Sequence, residues 1–537
     1  MEKKKYYISG MLYLVLLLGM GACREAAEVP DRDRPPLEGI TALPLLPADA
    51  NTGEIRADPS VEYQVMENFG ASDCWTVQMV GQWPEEKKEQ MARWLFSMDT
   101  LDSGQPAGIG LSAWRFNIGA GSAEQGEASQ IGDPLRRATC FMSADGSYDW
   151  NKQPGQQWFL RTAHEHGVPT LIGFSNSPPV HFTRNGLAHG DSKEKSNLSH
   201  DQSEAFAAFL ATVAEGLKRE TGIELDYISP VNEPQWDWTD GGQEGCHMTN
   251  LQVRDVTRFL DSELEKRPAL ETRILLAEAG EWDYLFEKGE VNGDQIDYFF
   301  GGERNPLHLT TRMEYAISAH SYYTTHPHVT LVQTRQQAWN KASEYPGLRL
   351  WSTEYCPLGN ADLQQLGWSG WRKDLGMDVA LHMGRILHHD LVDARVSAWQ
   401  WWLGISSYDY PDGLIYVNGN EEDGTFTDSR IMWTLGNYSR FIRPGARRIR
   451  AESEWKELLV TAFIDRERAT FTVVMLNTSK EELPAHVQLP GLEGLVFKPY
   501  ISSDAVGHKL APLEEISSDQ KFEIPARSAI TFVARIP

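Results

Sequence analysis

Positive charge, cysteine and long apolar runs are all scarce in this chain of 537 residues. Lys and Arg number 50 against 75 Asp and Glu, a net charge of -25. So acidic a chain repels phosphate backbones, which excludes nucleic acid as a partner. The five cysteines, Cys23, Cys74, Cys140, Cys246 and Cys356, are too scattered for a disulfide framework or a CxxC zinc pair. A Gly-Lys-Ser/Thr phosphate loop and a GxSxG elbow are both missing, so neither nucleotide hydrolysis nor serine-esterase chemistry is indicated. Low-complexity tracts are absent as well. With 41% hydrophobic and 23% charged residues, the composition is that of a folded globular protein. Its length implies one large domain and a smaller one.

What the chain does have begins at its N-terminus. Lys3, Lys4 and Lys5 precede an apolar run, Met11 to Met20, that is too short to span a bilayer and ends in Gly21-Ala22-Cys23. This resembles a bacterial lipobox, with Cys23 the lipidated residue, although Met20 stands where the pattern prefers Leu. The expectation is an exported lipoprotein of a bacterium, at the cell surface or in the periplasm, touching membrane through its lipid anchor only. Residues 1–23 would be the signal peptide, and 24–54, rich in Pro, Asp and Glu, a tether.

Eight short apolar runs follow: Val65–Ala71, Ile109–Ile118, Pro169–Phe174, Leu225–Val231, Ile274–Ala277, Tyr315–Ala319, Leu348–Thr353 and Val396–Trp402. Several lack polar alternation, as parallel strands covered on both faces do. Amphipathic segments lie between them: Glu85–Ser97, Ser203–Glu220, Val253–Lys266, Leu331–Ser343 and Leu375–His388. The alternation predicts an α/β fold, a (β/α)8 TIM barrel over about 55–440. Beyond it, short alternating runs broken by Gly, Pro and Asn turns predict a β-sandwich side domain over 441–537.

Active sites of such barrels sit at the C-terminal ends of the strands. Two carboxylates stand there: Glu233, in Asn232-Glu233-Pro234 after strand four, and Glu354, in Thr353-Glu354-Tyr355 after strand seven. Three strands apart, they face each other across the mouth, where a sugar ring fits between them. Glycoside hydrolysis needs such a pair, one to protonate the leaving oxygen and one to attack or activate water. Taken singly, a glutamate at a strand end more often serves an ion pair.

Further segments make the pattern specific. Glu67-Asn68-Phe69-Gly70-Ala71-Ser72, Trp114-Arg115-Phe116-Asn117-Ile118-Gly119, Ser175-Asn176-Ser177-Pro178-Pro179, His320-Ser321-Tyr322 and the stretch Asn437 to Ala446, in this order with the two glutamates, resemble glycoside hydrolase family 30. The resemblance implies a retaining β-glycosidase whose sandwich borrows a strand from about Ile55 to Tyr63. It implies Glu233 as acid/base and Glu354 as nucleophile, with Asn232 on the sugar 2-OH, Arg115 and Tyr322 beside Glu354, and His320 and Asn176 shaping the subsite. Within the family, Asn176 to Pro179 with Gly242 to Cys246 is most similar to the endo-β-1,6-galactanase branch. Val180-His181-Phe182 departs from that branch where an aromatic pair is expected.

Trp75, Trp236, Trp399 and Trp401 are candidates for stacking on sugars, as are Trp238, Trp368 and Trp371, and some of these must be core. The histidines at 320, 326 and 328, and His388-His389 with Asp390, lack ligand spacing and read as surface or loop residues. Gly280-Glu281-Trp282-Asp283 is expected to line the cleft. The implied chemistry calls for a polysaccharide or oligosaccharide substrate and for no metal or cofactor. A plant-type β-1,6-galactan is the first expectation, and another β-linkage (β-1,6-glucan, xylan, or an exo-acted glucoside) the second. A non-catalytic surface glycan-binding lipoprotein is the rival from another class, but it would have no reason to keep both glutamates at strand ends.

Overall fold

A computed structural model describes residues 38–193, 195–287, 291–302 and 306–536. Cys23 and the segment expected to be a signal peptide lie outside the described residues. No helix among the described residues is long and apolar enough to cross a membrane.

The barrel closes from eight parallel strands: Asn68–Ser72, Ala113–Asn117, Thr170–Phe174, Tyr227–Ser229, Arg273–Ala279, Met313–His320, Arg349–Glu354 and Ala398–Ser406. The eighth pairs with both the first and the seventh, Ala398 lying opposite Asn68 and Trp351. Most strand residues are buried whichever way they point, which is why their sequences do not alternate. A hairpin, Gly413–Gly419 with Gly424–Asp428, extends the sheet beyond strand eight.

The helices read from the sequence are present, and their buried stripes explain them. Ser203–Thr221 buries Phe206, Phe209, Leu210, Val213 and Leu217 and stops at Gly222, whose φ of 75° suits a residue without a Cβ. Asn250–Glu265 starts in a reciprocal capping box between Thr249 and Gln252. Pro154–Glu165 was not among the expected helices. Its buried face carries Gln156, Gln157 and Thr162 beside Phe159 and Leu160, so the apolar period is diluted.

The second domain is a sheet that curls around its own core. Phe522 and Phe532 belong to strands far apart in the ladder, yet their rings meet at 5.2 Å. Gly53–Val65 joins this sheet between Leu483–Gln488 and Arg447–Ser453. Leu45–Leu46 pairs with Lys521–Ile524 and Leu43 is buried in the same core. The stretch expected to be tether up to residue 54 therefore belongs to the sheet domain from Leu43 onward. Arg447–Ser453 escaped the sequence reading because three arginines obscure its alternation. They point at the long strand, where Arg447 meets Glu62 at 3.1 Å and Arg450 meets Asp58.

The two domains are joined by helix Arg430–Ser439 and the residues after it. Asn437 donates to Thr531 Oγ1 at 2.9 Å and to the Tyr500 carbonyl at 3.2 Å. Arg440 donates to the carbonyls of Ser97, Met98, Asp99 and Gly108. Those acceptors lie in the segment after helix Glu85–Phe96, so the guanidinium ties that segment to the end of helix Arg430–Ser439.

Candidate active site

Glu354 is the last residue of barrel strand seven. Glu233 comes four residues after strand four, between Pro230 and Pro234, with its backbone at a φ of 43°. A left-handed glutamate costs on the order of 1 kcal/mol and persists only where the surroundings hold it. Here its amide donates to the Glu278 carbonyl at 2.8 Å. Both residues are buried, at 7% and 4% exposure. One carboxylate oxygen of each, with a ring nitrogen of His320, lie within 4.8 Å of one another.

The partners of the two glutamates differ. Glu354 Oε1 accepts from the Tyr322 hydroxyl at 2.8 Å and Oε2 from Arg115 Nη1 at 3.0 Å. Glu233 Oε1 lies 2.8 Å from His320 Nδ1, which is 3.6 Å from Glu354 Oε1. Burial raises the Glu354 carboxyl above its ordinary value, and His320 and Arg115 work against that. Burial alone would lower His320, but Glu354, Glu233 and Glu278 outweigh it and push the imidazole up to about 10. The three side chains lie close together, but an imidazole protonated on both nitrogens has no lone pair to give a metal ion. The Arg115 guanidinium already supplies positive charge at Glu354.

Sequence reasoning missed Glu278. It is fully buried near the end of strand five, where the pairing with strand six is irregular, at a φ of 48°. It accepts from Ser229 Oγ at 2.7 Å, Thr353 Oγ1 at 2.7 Å and Arg115 Nη2 at 3.1 Å, and it faces His320 Nε2 at 2.9 Å. The signal was the one that marked Glu354, an acid closing an apolar run, here the residue directly after Ala277.

Around this centre, buried polar atoms have no protein partner: Asn232 Oδ1, Asn176 Oδ1, Asn117 Nδ2 and Asp73 Oδ2. Asn176 Nδ2 donates to Asn117 Oδ1 at 3.2 Å, and Asp73 Oδ1 accepts from the Asn117 amide at 2.8 Å. Burial pushes the Asp73 carboxyl up to about 8. Glu244, from the stretch Gly242 to Cys246, is instead fully employed. It accepts from the Ala120 amide at 3.0 Å and Ser122 Oγ at 2.6 Å, tying the loop after strand four to the loop after strand two.

The tryptophans divide. Trp236 is half-buried, packed over Gly280 and edge-on to Tyr284 and Tyr323. Trp75 is nearly buried between Trp402, at 5.4 Å, and the Arg136 guanidinium, 4.7 Å from its ring centre. Trp399 and Trp401 have no exposed ring face. Trp399 donates to Asp390 of helix Met377–Val392, and Trp401 donates to the Asp412 carbonyl, so both serve the core and not a sugar. The histidine reading also needs correction. His326 and His328 are exposed, but His320 is fully buried, and His388 and His389 sit in helix Met377–Val392, where burial pushes His388 down to about 3 and His389 pairs with Asp393 at 2.8 Å.

Two buried glutamates converging over the mouth of a (β/α)8 barrel define the class, a glycoside hydrolase. Comparison with known proteins specifies the family: the O-glycosyl hydrolase family 30 profile matches residues 52–416, and the chain belongs to that family. An endo-beta-1,6-galactanase of Hypocrea rufa is 25% identical over 404 residues, covering 72% of this chain and 74% of the relative. The glucuronoxylanase XynC of Bacillus subtilis is 23% identical over 384 residues, 70% and 76% of the two chains. Among solved structures, a conserved exported protein from Bacteroides fragilis is 31% identical with a TM-score of 0.81, covering 89% of this chain and 99% of that one.

Proposed function

We propose that the protein is a retaining endo-β-glycosidase acting on β-1,6-galactan, with Glu354 as nucleophile and Glu233 as acid/base. The observation that carries this reading is that a carboxylate oxygen of each glutamate lies within 4.8 Å of one on the other. Retaining enzymes hold the pair roughly 5–5.5 Å apart, whereas inverting ones leave about 6.5–9.5 Å for a water. The partners support the division of labour. Glu354, held by a cation and a phenol, is kept anionic for attack on the anomeric carbon while Glu233 protonates the departing oxygen. Glu233, then ionised, takes a proton from the water that releases the sugar. Asn232 and Asn176 carry unpaired amide oxygens beside this centre, ready to accept from sugar hydroxyls.

The galactan assignment is supported by the galactanase relative and by the resemblance in the loops after strands three and four. The xylanase relative makes another β-linkage the second reading. Incubating the purified enzyme with β-1,6-galacto-, β-1,6-gluco- and glucuronoxylo-oligosaccharides decides between them: shortened β-1,6-galactooligosaccharides support the assignment, and cleavage of another set alone overturns it. Release of monosaccharide only would replace endo with exo action.

Export as a lipoprotein anchored at Cys23 belongs to the same reading, supported by the N-terminal pattern. Cys23→Ser should move the protein from the membrane to the soluble fraction with unchanged specific activity, because a lipid adds membrane affinity and no catalytic group. Wild-type protein found soluble after export would remove the anchor from the proposal.

A further inference from the structure

We propose that Glu278 is the fixed counter-ion of the active site, a positioning residue that keeps His320 cationic while negative charge passes between Glu354 and Glu233. The inference rests on the roles just assigned to those two glutamates. Glu278 is fully buried, and the groups on its carboxylate come from the barrel wall: Arg115 from strand two, Ser229 from strand four, His320 from strand six and Thr353 from strand seven. Each of the four can donate. A carboxylate accepts four such bonds, whereas a carboxylic acid would need an acceptor for its own proton. Glu278 is therefore the anion, and Arg115 and His320 hold its carboxyl down at about 2 against the effect of burial.

His320 connects this anion to the chemistry. With Nε2 on Glu278 at 2.9 Å and Nδ1 on Glu233 at 2.8 Å, it carries a proton on both nitrogens whenever Glu233 is ionised. The charged and titratable groups around it are Glu278 on strand five, Glu354 on strand seven, Arg115 on strand two, Glu233 beyond strand four and Tyr322 on the turn that follows its own strand.

Charge balances at each stage. Before attack, Arg115 and His320 are the cations, Glu354 and Glu278 the anions, and Glu233 holds its proton. During glycosylation the Glu354 oxygen bonds to the anomeric carbon, the glycosidic bond breaks, and the Glu233 proton leaves with the aglycone. Glu354 becomes a neutral ester and Glu233 an anion, so two cations again face two anions. Glu278 is the anion that does not change. Without it, two buried cations would share one migrating charge, and the imidazole is the cation able to give up its proton.

The test is Glu278→Gln, which keeps shape and removes charge. It combines the pH profile of kcat/KM on an activated aryl β-glycoside with histidine-selective 15N NMR, His320 being assigned from His320→Gln. In the wild type, His320 should show imidazolium shifts from pH 5 to 8. In Glu278→Gln it should titrate within that range, and the alkaline limb of kcat/KM should move down by at least one pH unit in step. KM at pH 5 should stay within about threefold, and Glu278→Asp should restore the limb at least partly. A neutral His320 at pH 7 in the wild type overturns the inference even if the variants fail to fold, as does a Glu278→Gln profile that coincides with the wild type. Activity surviving Glu354→Gln would instead overturn the role assignment beneath it.

Discussion

The mouth of the barrel and the C-terminal sheet domain treat polar groups in opposite ways. At the mouth, buried atoms of Asp73, Asn117, Asn176 and Asn232 lack protein partners, two glutamates take left-handed backbones, and three carboxylates share one arginine and one histidine. Across the described residues of 447–536, Thr461 Oγ1 alone is left buried without a partner, and the core is apolar, with Phe471, Phe497, Phe522 and Phe532 in ring contact. Buried polar groups are left unpaired beside the two glutamates and are almost all paired in the sheet domain, although Ala469, Leu510 and Arg527 there also take left-handed backbones. Damage to the mouth should therefore appear as lost rate, and damage to the sheet as lost stability.

The largest effect is expected at the nucleophile. Glu354→Gln should lower kcat on every substrate by a factor on the order of 10^4 or more, as removing a covalent nucleophile does elsewhere, with the near-ultraviolet circular dichroism unchanged. Next comes Glu233→Ala, which should spare glycosylation by an aryl glycoside whose phenol leaves without protonation, then stall at the glycosyl-enzyme. Azide should restore turnover and give the β-glycosyl azide, and Glu354→Gly with azide should give the α-product. Products the other way round would exchange the two roles.

The sheet domain should answer differently. Phe532→Ala removes a ring that packs on both Phe497 and Phe522 and should cost about 3–5 kcal/mol of stability in denaturant titration. The kcat of the protein that remains folded should be unchanged. A fall in kcat with normal stability would mean that the sheet domain takes part in catalysis and would erase the contrast.

How far this contrast could be read in advance varied with the physics of each element. Barrel strands showed themselves because strands buried on both faces cannot alternate, and Glu233 and Glu354 because a charge closing such a run is costly unless used. Arg447–Ser453 and Pro154–Glu165 stayed hidden because arginines paired across a ladder, and glutamines on a buried helix face, look polar in sequence and are satisfied only in three dimensions. Glu278 closes the run Ile274–Ala277 in the same way as Glu354 and was passed over, because the irregular pairing at the end of its strand is visible only in three dimensions. The tryptophans were the least legible, since size and flatness serve a core and a sugar equally well.

That ambiguity makes the smallest effect the sharpest discriminator, because the same residue type stands on both sides of the contrast. Trp236 is half-buried over Gly280 at the mouth, whereas Trp401 is fully buried with its indole N–H on the Asp412 carbonyl. Trp236→Ala loses a ring face that a sugar would cover, worth roughly 1.5 kcal/mol, so KM for oligosaccharides should rise about tenfold. The thermal midpoint should move little, since the half-exposed ring contributes less burial. Trp401→Ala should do the reverse, lowering stability by about 3–5 kcal/mol with KM of the folded fraction preserved. If Trp236→Ala left KM for long oligosaccharides unchanged, its ring would belong to the scaffold, and stacking would have to be sought at Trp75 or in the loop that carries Trp368 and Trp371.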